Sequence, residues 1–172
     1  MDTITGIPAH PLFVHIPVVL LPLAAVLALV MLIRPTWFDR YKWALLAITS
    51  VGTLGAILAA GSGESLAENV KKSGAARQAL NDHIEAGDNA RLFGIIFFGV
   101  IAVWIFLPMY LARRAHAAGS GDGTALGSPR QPKWLRPVIA ALIVMTAGAT
   151  TVTIVQAGHS GAKSVWTEES GG

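Results

Sequence analysis

Histidines are the residues of this sequence with the greatest capacity for chemistry. The 172 residues include five histidines and no cysteine, which excludes disulfides, iron–sulfur clusters, thiolate zinc sites, c-type haem and a cysteine nucleophile. Histidine is therefore the strongest metal ligand available. Two histidines, His10 and His15, fall in the stretch HPLFVHIP at the start of a long apolar segment. An imidazole in such a segment is costly unless it forms a bond or binds a ligand.

The composition predicts an integral membrane protein. Hydrophobic residues make up 53% of the chain and charged residues 13%, whereas about a quarter of a soluble domain is charged. Spanning a hydrocarbon core of about 30 Å takes roughly 20 apolar residues, and four segments qualify, near 12–33, 43–60, 92–112 and 137–157. Since lipid offers backbone groups no partner, each segment should be a helix. The expected fold is an all-α, four-helix transmembrane domain over residues 1–172.

The basic residues indicate orientation rather than nucleic-acid binding. Cations concentrate in the turn between the first two segments and in the connection between the last two, which marks both as cytoplasmic. The N- and C-termini are then expected outside, in a bacterial inner membrane. Aromatic residues of a headgroup belt fall at the same predicted inner boundary: Trp37, Tyr41, Trp43, Tyr110 and Trp134.

The two longer connections differ in kind. Residues 117–132 are rich in Gly, Ser and Pro and predict a flexible cytoplasmic linker. Residues 61–91 show an apolar helical face and predict a partly helical outer loop between the second and third spans. In that loop Gly74 should separate two short helices, Gly87 should end the second, and Asp88 should cap the third span.

This topology places four of the five histidines at the outer side: His10, His15, His83 and His159. Because Pro11 disfavours a helical conformation in the residue before it and suits the first helical position, the first helix should start there. His10 would then fold over the mouth of the bundle. His15, about one turn inside, is the expected buried ligand.

An outward-facing cavity is expected between the helices. The outer half of the second helix is rich in Gly and Ala, which leaves room for a cofactor, and phenylalanines should line the third helix: Phe93, Phe97 and Phe98. A b-type haem needs two imidazoles and cations for its propionates. His15 is the expected axial ligand with either His83 or His159, and Arg77 the expected propionate partner. A copper or zinc site would instead combine three or more of the four outer histidines, with Glu64 or Asp82.

Several motifs together resemble a bacterial family catalogued as domain of unknown function 2231. The resemblance covers nearly the whole chain. It implies a four-helix membrane protein, and because members are sometimes joined to Rieske or cytochrome c domains, it also implies a redox setting. The motifs are His10-Pro11, Val14-His15 and Pro17, the exit from the second helix at 61–64, Arg77 with His83, and Gly158-His159-Ser160-Gly161-Ala162 followed by Val165-Trp166.

Three functions follow from the residues and the resemblance. The first is a small membrane protein that binds haem b and transfers electrons at the outer face, beside a larger respiratory or redox complex or as a homo-oligomer. The second is a cofactor-free accessory subunit of a membrane complex, and the third is a histidine-based copper or zinc module. No nucleophile stands with a base and an orienting acid at a recognisable spacing, so an electron carrier or accessory subunit is expected rather than a stand-alone enzyme.

Overall fold

The computed structural model describes residues 3–4, 7–69, 74–118 and 132–169. A two-residue strand pair, β1 (Thr3–Ile4) and β2 (Ile7–Pro8), is antiparallel and precedes the helices. Four helices follow and are long and apolar enough to cross a membrane, which confirms the predicted class. They are α1 (Ala9–Ile33), α2 (Pro35–Asn69), α3 (Gly74–Ala118) and α4 (Leu135–Glu169).

The helices form a ring in chain order. α1 packs against α2 and α4, and α3 packs against the same two helices. Only Arg34 separates α1 from α2, so these two helices form a tight hairpin, and α3 and α4 form a second one. The beginnings of α1 and α3 therefore meet the ends of α2 and α4 at one end of the bundle, which we call the cavity end.

Small and large side chains alternate around the core. Alanines of α1 are fully or nearly fully buried against large aliphatic and aromatic side chains of α3 and α4. Helices approach closely where their facing residues are small, and van der Waals packing is a principal contribution to association in lipid. The central residues of this core include Ala24, Ala25, Ala28, Phe97, Ile101, Ile105 and Ile143.

Three of the helices extend well beyond a bilayer core. They contain 35, 45 and 35 residues, and at 1.5 Å per residue they are about 50–70 Å long, against about 30 Å of hydrocarbon. The described residues of 61–91 are helical, as expected in part, but they continue the second and third spans instead of forming separate short helices. α2 continues to Asn69, and α3 begins at Gly74, whose φ is +59°.

The predicted break at Gly87 and cap at Asp88 are also wrong, since α3 passes through both residues. Leu80 and Ile84 lie on the side of α3 that lines the cavity between the helices. An isolated glycine costs only about 1 kcal/mol relative to alanine in a helix, so it does not by itself end one. α1 likewise begins at Ala9 rather than Pro11, which places His10 in its first turn. Of the predicted linker, residues 119–131 lie outside the described part of the chain, and its first two residues belong to α3.

Aromatic side chains surround the end of the bundle opposite the cavity. Trp37 packs on Tyr41 with ring centroids 5.5 Å apart, and Trp43 on Phe106 at 5.9 Å. The guanidinium of Arg114 lies 5.1 Å from the centre of the Tyr110 ring. These rings are positioned as in an interfacial belt. Which side of the membrane this end faces stays a prediction.

Candidate functional site

A cavity of about 510 Å³ lies between all four helices at the cavity end. The walls that α2 and α4 contribute are mostly alanine and glycine, including Ala56 and Ala59, so the expected room beside small residues is present. The expected aromatic wall is wrong, because none of the three predicted phenylalanines lines the cavity and Phe97 is fully buried in the core. A volume in the range of about 300–1,000 Å³ is typical of sites for organic ligands and cofactors.

His10 lines this cavity and is fastened to α2. Its Nδ1 lies 2.8 Å from the carbonyl oxygen of Ala59, and because a carbonyl can only accept, Nδ1 carries the proton and donates. The hydroxyl of Ser62 donates to the same carbonyl at 3.0 Å. A Cβ at Gly63 would lie 2.9 Å from Cε1 of the imidazole, so the ring requires a glycine at that position. The neutral ring then has its lone pair on Nε2.

His83 is held by α4 in the same manner. Its Nδ1 lies 3.2 Å from the hydroxyl oxygen of Ser160, and that hydroxyl donates to the carbonyl of Ala157 at 3.1 Å. The serine oxygen therefore accepts from Nδ1 of His83, and the lone pair of the neutral ring again lies on Nε2. A Cβ at Gly161 would be 2.9 Å from Cε1, as at the first histidine.

The two helical hairpins thus repeat one arrangement. α2 and α4 share the pattern Ala-x-x-Ser-Gly, at residues 59–63 and 157–161, and each copy holds a histidine from the preceding helix. The His10 and His83 rings lie 5.9 Å apart, centroid to centroid, with their planes at 80°. Sequence reasoning missed this relationship, although the repeated pattern at the ends of two spans was a signal that could have revealed it.

His15 occupies a different position from the one predicted. Its side chain is exposed rather than buried, and it borders the edge of the cavity. Nδ1 donates to the carbonyl oxygen of Pro11, one turn earlier in α1, at 2.6 Å. The burial of the two residues therefore differs from the expectation, since His10 is half-buried and His15 is exposed.

The other predicted site residues lie outside the cavity lining. His159 is exposed in a shallow groove between α3 and α4 that also contains Asp82, Glu85 and Gln156. Arg77 is exposed and does not border the cavity. The side chain of His116, predicted on the inner side, falls outside the part of the chain that the structure describes.

A charged cluster lies at the rim of the cavity. Glu64 and Asp88 are the charged residues among its described lining. Nη2 of Arg91 lies 2.9 Å from a carboxylate oxygen of Asp88, and Nη1 lies 3.6 Å from one of Glu64. Arg91 therefore connects α3 to the end of α2 and partly neutralises the rim. Within the described ranges, no three His, Asp or Glu side chains lie close enough to hold a metal ion together.

Fold and cavity together define a four-helix membrane protein with two imidazoles facing an apolar chamber at one end. Residues 6–171 match the family described as predicted membrane protein, domain of unknown function 2231, and the chain belongs to that family. The resemblance seen in the sequence motifs is thereby confirmed. Searches of curated proteins and of solved structures returned no match.

Proposed function

We propose that this protein is a small b-type cytochrome that transfers electrons in the membrane and that His10 and His83 would hold its haem. The observation that carries the proposal is the matched pair of imidazoles 5.9 Å apart. Metal–imidazole bonds of about 2 Å on opposite sides of one ion place two ring centroids roughly 6 Å apart. Two axial imidazoles are also sufficient for haem, whereas a copper or zinc site takes three or more protein ligands.

The hydrogen bonds around the pair suit metal ligation. Histidines that bind metals usually donate their second ring N–H to a carbonyl or another acceptor, which fixes the tautomer and makes the ligating nitrogen more basic. His10 donates in this way to Ala59, and His83 to Ser160. Both rings therefore have Nε2 as the nitrogen that can bind iron, and both are oriented before any ligand arrives.

The remaining features of a haem site are distributed around the same cavity. Alanine and glycine walls leave an apolar space for the macrocycle, and such surroundings tune the reduction potential of a haem. Arg91 is the cation at the rim and could exchange its 3.6 Å contact with Glu64 for a propionate. This assignment replaces Arg77, because Arg91 pairs with two carboxylates of the cavity lining whereas Arg77 is exposed.

The setting we propose is the outer face of a bacterial inner membrane. Charge distribution across the connections supports this orientation, with both termini outside. Haem near a membrane surface can exchange electrons with a partner at that surface, and a larger respiratory or redox complex, or a second copy of the chain, is the proposed partner. The redox domains attached to some relatives support the same setting.

Spectroscopy of the purified protein tests this function. Protein prepared in detergent from haem-replete cells is expected to show a Soret band that sharpens on dithionite reduction, with one haem per chain. The ring planes at 80° predict the strongly anisotropic low-spin ferric signal of near-perpendicular axial imidazoles in electron paramagnetic resonance. A colourless preparation that also fails to take up added haemin would refute the proposal. Stoichiometric copper or zinc in that colourless sample would instead favour the metal module, and no metal would favour the accessory subunit.

A further inference from the structure

The cavity opens sideways between α1 and α4. Most of its exposed lining residues belong to these two helices. Their spacing along each helix, three or four residues, places them on one face, and those two faces border the same gap. We call this gap the α1–α4 seam, and it consists of Pro11, His15 and Val18 on α1 and Gly158 and Ala162 on α4.

The seam lies where the bundle meets lipid. Val18 is 41% exposed two turns into α1, and Val19, beside it on the outer surface of the helix, is 59% exposed. Both belong to an apolar helix that is long enough to cross the membrane. A molecule dissolved in the bilayer can therefore reach the cavity through the seam without passing through water.

His15 is the polar side chain of this seam. Because its Nδ1 donates to Pro11, the neutral ring presents Nε2 as a hydrogen-bond acceptor. An acceptor in apolar surroundings is satisfied by a ligand that brings a hydroxyl group. Opposite His15, Gly158 and Ala162 contribute almost no side-chain volume, which leaves room for a flat ring.

The charged residues that line the cavity limit which membrane-soluble molecules could enter it through the seam. Phospholipid headgroups carry a phosphate, yet no lysine or arginine is among the described residues that line the cavity, and its charged lining residues are the carboxylates of Glu64 and Asp88. Both carboxylates already pair with Arg91, so the described lining itself offers no cation to hold a phosphate. An uncharged ring with a hydroxyl group and an apolar tail matches the acceptor nitrogen, the open space and the apolar surface of the seam.

We propose that the α1–α4 seam binds the headgroup of a lipid-soluble quinol, whose hydroxyl donates to Nε2 of His15. A quinol bound here would supply electrons to the haem in the adjoining cavity, and this part of the inference rests on the proposed function. Binding of the quinol itself depends only on the seam.

Photolabelling tests the site in the intact protein. The chain is reconstituted in phosphatidylcholine nanodiscs, labelled with an azido-benzoquinone and digested, and the label is expected on α1 and α4 peptides of the seam. A benzoquinol with a decyl tail should compete. His15→Ala should weaken competition roughly tenfold, the loss expected for one hydrogen bond in apolar surroundings. Ala162→Leu should also weaken competition, because the larger side chain fills the gap between the helices. Val19→Ala is the matched lipid-facing control and should leave competition unchanged.

The outcomes separate this inference from the haem proposal. His15→Ala should retain the Soret band of the parent protein, whereas Ala162→Leu is judged by labelling only, because Ala162 also lines the cavity proposed for the haem. Loss of that band in His15→Ala would make His15 a haem ligand and overturn the seam assignment, as would unchanged labelling in both variants or competition by a phospholipid photoprobe. A colourless protein that still shows His15-dependent labelling would support the seam while refuting the haem.

Discussion

The imidazole of His10 lies 5.9 Å from that of His83, and the two planes are inclined at 80°. Each histidine belongs to the first helix of a hairpin and donates to the second helix of the same hairpin, through Ala59 in one and Ser160 in the other. The same arrangement of a histidine and its hydrogen-bond acceptor thus occurs once in each hairpin, and the cavity lies where the two hairpins meet. Parallel repeats around a shared ligand site are a recurrent architecture in membrane proteins.

Removing either central histidine is expected to abolish haem binding. His10→Ala and His83→Ala each delete one axial ligand, so the Soret band should fall to a small fraction of the parent absorbance per chain. His159→Ala is the matched control, because that side chain lies in a separate groove and its loss should leave the spectrum unchanged. Absorbance spectra normalised to protein concentration make the measurement. A spectrum lost only in the His159 variant would contradict the ligand assignment.

A methyl group beside His10 is expected to weaken cofactor binding without removing a ligand. Gly63→Ala puts a Cβ 2.9 Å from Cε1 of the ring, whereas a Cβ at Gly61 meets nothing within 4 Å. Displacing a ligand orienter costs about 10–100-fold in metal affinity, so Gly63→Ala should lower haemin affinity by roughly that factor. Gly61→Ala should match the parent. Haemin titration followed at the Soret maximum gives both affinities, and equal losses in the two variants would show that the contact with the imidazole is not responsible.

Arg91 is expected to affect the haem, and Arg77 is not. Arg91→Gln removes the cation at the cavity rim, which should lower haemin affinity and shift the reduction potential to more negative values, because the charge of the propionates is no longer balanced. Arg77→Gln changes an exposed side chain outside the lining and serves as the control. Potentiometric titration of the Soret band measures the shift. A larger shift in the Arg77 variant would restore the assignment expected from the sequence.

The close approach of α1 to α2 at Gly55, beside the cavity wall, predicts a position where an added methyl group destabilises the fold. A Cβ at Gly55 would lie 2.5 Å from Cγ2 of Ile16, while a Cβ at Gly99 meets nothing within 4 Å. Overpacking of this kind typically costs about 1–3 kcal/mol. Gly55→Ala should therefore lower the thermal midpoint in detergent, and Gly99→Ala should leave it unchanged or raise it. A midpoint unchanged in both variants would mean that the helices can separate at no cost.

Helix class and membrane character could be predicted from composition and length. Four long apolar segments without charged residues are sufficient to predict four helices, because a backbone in lipid must satisfy its own hydrogen bonds. The continuity of α3 through Gly87 could not be predicted in this way. A glycine followed by a capping residue favours a helix end locally, but α3 continues through both residues with Leu80 and Ile84 lining the cavity between the helices.

The sequence by itself determined that histidines gather at one end of a four-helix membrane protein, since the order of apolar and charged segments places them there. Which histidines meet was decided by the tertiary structure. The rings of His10 and His83 lie close together, each against a glycine of its neighbouring helix, while His15 is exposed and donates to the carbonyl of Pro11. The rotation of each helix and its approach to its neighbours depend on contacts between segments that are distant in the chain. The spacing of residues along the sequence does not specify those contacts.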